Sequence, residues 1–230
     1  MKTVDVLQHT SAEYLGLIED HLEGRNIRFR YCRPFTGKVA LPRPDAIHDG
    51  LILLGAGPWG AAGTRDLPTL QAEIALAKEI LAKGKPILGI GLGAQILAVA
   101  AGGRSEPAAL EFSVASAKRV SEGALGGYLP AEYPLAIYMR DFPVPPAGAA
   151  ILAADQRGRP ALWQVGTHAL GFSGHPGLKV AMVEDLVMEF EEAPAEVGPG
   201  LDRLRAVQRS IEDALVPLMA GAVKLMGWMG

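Results

Sequence analysis

A single cysteine, Cys32, occurs in 230 residues. One thiol excludes an internal disulfide framework and any multi-thiolate zinc site within one chain, and it fits a reducing cytoplasm. Basic charge is also scarce: 22 Lys and Arg against 25 Asp and Glu give a formal net charge of -3, with no Lys/Arg-rich stretch. That leaves no field for a nucleic-acid backbone, and nucleic acid is not an expected partner. No uninterrupted apolar run approaches the roughly 20 residues that span a bilayer. The amino end MKTVDVLQHT has neither the basic stretch nor the long apolar stretch of a secretory signal. A membrane role, a metal and a cofactor are all unexpected, and there is no internal repeat.

What is present is apolar: 49% of the residues are hydrophobic, enough to bury a large core in one domain over 1–230. Thr3 to Gln8 suits a first strand, and Leu15, Ile18 and Leu22 predict a helix over Ala12 to Gly24. A strand near Ile27 to Tyr31 and a proline-rich loop from Arg33 to Pro44 follow. His48 to Leu54 is near-continuously apolar, as in a parallel strand buried on both faces. Gly55 to Gly63 must be loop, because its glycines and Pro58 forbid helix or strand. Leu67 to Lys83 carries Leu70, Ile74, Ala77 and Leu81 among charged residues and predicts an amphipathic helix. Lys85 to Gly103 reads as a buried strand, a glycine turn and a helix. Repetition of strand, loop and helix implies a parallel sheet covered on both faces.

Alternation around Phe112 to Val120 and Leu135 to Met139 suggests antiparallel strands, and Ala161 to Phe172 a hairpin turning near Gly166. A short helix over Met182 to Glu191, a linker from Ala193 to Gly200 and a long helix from Leu201 to Met226 complete the chain. Pro217 should bend or interrupt that last helix.

Four segments carry chemical meaning together. They are KPILGIGLGAQILAVAAGG (Lys85 to Gly103), DGLILLGAGP (Asp49 to Pro58), RDFPVPPAGAAILA (Arg140 to Ala153) and GFSGHPG (Gly171 to Gly177). Taken in chain order they resemble the class I glutamine amidotransferases, in particular GMP synthase-like glutaminase domains. The resemblance implies a three-layer, flavodoxin-like, mostly parallel sheet with helices on both faces. It places Gly91 where the family's nucleophilic cysteine stands, His175 at the catalytic histidine, and Gly177 at the glutamate that orients it. Gly57 and Pro58 fall in the oxyanion loop, which carries one additional residue. Leu92, Gln95 and Ser173 fall at binding positions, and the family's histidine before the hairpin is replaced by Met139 or Arg140.

Glycine has no side chain to attack a carbonyl, so the family's thioester chemistry is not expected. A degenerate glutaminase fold that binds a small molecule or a partner enzyme is the leading expectation. An enzyme of altered chemistry using His175 at the Gly91 turn is a second, and a regulatory or scaffolding subunit of a synthetase a third. Ser173 and Cys32 are the conceivable substitute nucleophiles, but no carboxylate obviously supports Ser173, and a lone cysteine is more often a buried small hydrophobe. GAGPWG and the Gly89, Gly91, Ala94 set each match a dinucleotide fingerprint weakly, since no acid closes the next strand. Trp59 either contacts a ligand or is a loop aromatic. The end LMGWMG either docks on its own core or offers a surface for homo-oligomer formation.

Overall fold

The computed structural model describes residues 1–37 and 40–229. Its centre is a nine-stranded sheet in the order β2-β1-β3-β4-β11-β10-β9-β6-β7. Strands β1 (Thr3–Leu7), β2 (Arg28–Cys32), β3 (Leu51–Leu53), β4 (Ile87–Ile90) and β11 (Ala169–Phe172) run parallel to one another. Antiparallel pairing then adds β10 (Pro160–Val165), β9 (Ala150–Asp155), β6 (Glu111–Arg119) and β7 (Glu132–Met139). A separate two-stranded ribbon joins β5 (Arg104–Glu106) to β8 (Phe142–Val144).

Side-chain alternation at period two divides the parallel strands between two cores. Leu51, Leu53 and Ile87 face helices α2 (Leu70–Ala82) and α3 (Leu92–Ala100), whereas Val4, Val6, Ile52, Leu54, Leu88 and Ile90 face the opposite layer. That layer holds α1 (Ile18–Glu23) and α5 (Val197–Leu225), with α4 (Val180–Glu189) packed beside α5. The three layers bring the carboxyl ends of β1, β3, β4 and β11 to one edge.

Several boundaries differ from expectation for local reasons. The first helix covers only Ile18–Glu23, because Gly16 takes φ +61° and breaks the chain out of helical geometry. The Arg33 to Pro44 segment includes short 3-10 turns at Pro34–Thr36 and Pro44–Ala46, while 38 and 39 lie outside the described residues. Helix α5 begins at Val197, not Leu201, with Pro199 in its first turn where no N–H is required. Pro217 does not interrupt it, since Leu215, Leu218 and Met219 on either side are buried in the core.

The carboxyl-terminal segment is spent on its own core. Met226 and Trp228 are each 2% exposed, and Trp228 Nε1 donates to the Asp49 carbonyl at 3.2 Å. That docking removes them from the oligomer surface expected of LMGWMG. Among the described residues no helix is long and apolar enough to cross a membrane.

Candidate functional site

Gly91 forms the turn between β4 and α3, with φ 58° and ψ −117°. Its N–H donates to the Phe172 carbonyl at 2.9 Å, and the Gly93 N–H to Leu54 at 3.1 Å, locking the turn between β3 and β11. A Cβ at Gly93 would stand 2.0 Å from the Leu53 carbonyl oxygen, so close helix-strand approach demands glycine there. At Gly91, chain neighbours aside, the only atom among the described residues within 4 Å of such a Cβ would be the Gly55 Cα, at 3.5 Å. The turn therefore has room for a side chain, and its backbone is one that only glycine adopts without strain.

His175 is 5% exposed, and backbone groups engage both ring nitrogens. Nε2 lies 2.8 Å from the Tyr14 carbonyl oxygen, and Nδ1 accepts from the Gly177 N–H at 3.1 Å. A ring that donates at one nitrogen and accepts at the other is the neutral imidazole. Burial lowers its pKa to about 4, outweighing the Tyr14 hydrogen bond. Gly177 packs closely on the amino end of α1, where a Cβ would meet Ile18 Cγ1 and Ile18 N at 3.0 Å.

The remaining expected site residues are turned inward. Ser173 is fully buried, and its hydroxyl donates to the Pro160 carbonyl at 2.5 Å, so it does not pair with His175. Gln95 Nε2 donates to the Arg140 carbonyl at 2.7 Å and Oε1 accepts from Ser105 Oγ at 2.9 Å. Both ends of that amide tie α3 to neighbouring segments. Leu92 is buried at the start of α3. Cys32 lies on β2 at the sheet edge, separated from β4 by β1 and β3, and burial raises its thiol pKa. That excludes it from the turn and from ready nucleophilicity.

Beside the turn, the Gly57 N–H donates to the Glu13 carboxylate, and the Pro58 carbonyl accepts from Arg140 Nε at 2.8 Å. Arg140 and Arg65 both pair with Glu192, and a Cβ at Gly57 would come 2.8 Å from the Phe190 ring. The loop is thus covered by its own chain. Among the described residues, five cavities of about 100 to 470 Å³ are lined by residues other than Gly91, Gly57, Ser173 and His175.

The Peptidase C26 family model matches residues 60–121. No curated protein sequence matches the chain. A glutamine amidotransferase from Thermotoga maritima superposes with a TM-score of 0.80 at 23% identity, covering 98% of each chain. The chain has the class I glutamine amidotransferase-like fold. A glutamine amidotransferase from Methylobacillus flagellatus gives a TM-score of 0.76 at 22% identity, over 98% of this chain and 95% of that one. PurLQS from Thermotoga maritima gives 0.55 at 15% identity, over 93% of this chain and 99% of that one.

Within this glutamine amidotransferase-like fold, the buried ionisable groups near Gly91 are ones that motif reading passed over. His9 Nδ1 lies 3.1 Å from the Gly55 carbonyl oxygen and Nε2 2.8 Å from Glu73 Oε2, both side chains fully buried. Burial pushes the His9 pKa down, but Glu73, the Gly55 carbonyl and Glu13 raise it overall. Glu13 is raised to about 7, chiefly by burial, against the lowering effect of the Gly57 N–H. A signal was present in retrospect: His9 and Glu13 follow the carboxyl end of a buried strand, and Glu73 sits on the apolar face of α2 with Leu70, Ile74 and Ala77. Charged residues are rarely buried unless paired.

Proposed function

We propose that this protein is a noncatalytic member of the class I glutamine amidotransferase-like group that acts by binding a small molecule. The observation that carries the reading is the double backbone engagement of His175. A general base must have a free lone pair directed at the proton it takes, and this one is occupied. With Gly91 in the nucleophile position, no thioester can form. The carboxylate of Glu13 also holds the Gly57 N–H, a group of the loop that would otherwise be free to stabilise an oxyanion. The same facts weigh against an enzyme that uses His175 as acid or base at the Gly91 turn. One thiol and a net charge of -3 suit a cytoplasmic protein that does not bind nucleic acid.

Incubation of the purified protein with glutamine tests the reading. No ammonia or glutamate above background is expected. Release that disappears in His175→Ala would overturn it.

A second reading, a subunit that regulates a synthetase, draws on the similarity to PurLQS. Its test is the size of the protein recovered from cells: a stable complex with a synthetase supports it, and a chain that elutes alone rejects it.

A further inference from the structure

Beside His9 lies a cavity of about 300 Å³, lined among others by His9, Pro34, Phe35, Trp59, Pro68 and Thr69. Phe35 is 44% exposed at this site, and Trp59 is partly buried. Arg65 stacks on the Trp59 ring, 4.8 Å from its centroid. We propose that this cavity binds a small, flat, uncharged aromatic molecule that carries one N–H or O–H donor. The inference rests on the small-molecule reading above.

The ligand class follows from what the walls can still offer. Both nitrogens of His9 are engaged, by Gly55 and by Glu73. The Thr69 hydroxyl donates to Glu73 Oε1 at 2.6 Å, so only its acceptor lone pairs remain for a ligand. A ligand that reaches Thr69 must therefore bring the donor. Charge is disfavoured: His9 and Glu73 offset each other, and Arg65 is paired with Glu192. An ionic ligand would lose hydration without meeting an unpaired countercharge. The proline and aromatic walls favour a flat apolar body, the usual make-up of a small-molecule site with a few placed polar groups.

The probes are indole, which has the donor, and 1-methylindole, which lacks it. Each is titrated into the whole ¹⁵N-labelled chain and followed by amide and Trp59 side-chain shifts. Shifts should centre on Phe35, Trp59 and Thr69, with indole tighter than 1-methylindole by about fivefold, the effect of one hydrogen bond. Thr69→Val should erase that preference and Thr69→Ser should keep it. Absent shifts, shifts centred elsewhere, or equal affinity of the two probes for the wild type would overturn the proposal. Should Thr69→Val fail to fold, the wild-type preference alone decides. The glutamine assay reads the noncatalytic claim separately, so failure of either is distinguishable from failure of the other.

Discussion

His175 and Glu13 are both buried, but burial moves their titrations in opposite directions because it disfavours the charged form of each. For His175 the folded pKa falls to about 4, against 6.5 for the ordinary group. The stability it contributes is therefore present above pH 6.5 and is lost as pH falls toward 4, by at most about 3 kcal/mol. A side-chain NMR titration should show His175 neutral from pH 8 down to pH 5. For Glu13 the folded pKa rises from 4.5 to about 7. Its contribution is complete below pH 4.5 and is lost as pH rises through 7. Glu13→Gln keeps an acceptor for the Gly57 N–H but cannot ionise, so it should be more stable than wild type at pH 8 and lose that advantage at pH 5. Urea melts at the two pH values measure the crossover. The identity of Gly91 and Gly177 was legible in the motifs. The engagement of His175 by Tyr14 was not, because it depends on a backbone carbonyl 161 residues away.

The strand-turn-helix element of β4 and α3 turns on Gly91, whose backbone favours glycine although a side chain there would have room. Gly91→Ala should fold and lose about 1–3 kcal/mol, the cost of a side chain in this backbone region. Gly93→Ala should lose more, since its Cβ would overlap the Leu53 carbonyl rather than enter open space. Chemical denaturation of the two variants gives the order. Near-continuous apolar runs located β3 and β4 in the sequence, because both faces of a parallel strand are buried. The first helix was overextended for the opposite reason: Leu15 is buried like a helical residue but lies in the turn before Ile18. Burial and helix are different properties, and hydrophobic spacing reports only the first.

Across the whole molecule, long-range packing decides what local pattern leaves open. Trp228 reaches back to the Asp49 carbonyl, and the Gly50 α-carbon lies against its ring, closing the carboxyl end over the first strands. Trp228→Ala should cost about 3–5 kcal/mol, read as a lowered thermal midpoint with no change in oligomeric state. His9, Glu13 and Glu73 meet only because the order of the parallel strands brings the β1 end beside α2, so spacing along the chain could not group them. That assembly bears on the proposed function, under which the groups around Gly91 serve structure where a glutaminase would hold them ready for reaction. Gly91→Cys, treated with a glutamine-shaped diazoketone and measured by intact mass and peptide mapping, tests this most directly. The account predicts no adduct at position 91, with any slow labelling confined to Cys32. A stoichiometric adduct at position 91 that vanishes when His175→Ala is added would contradict it.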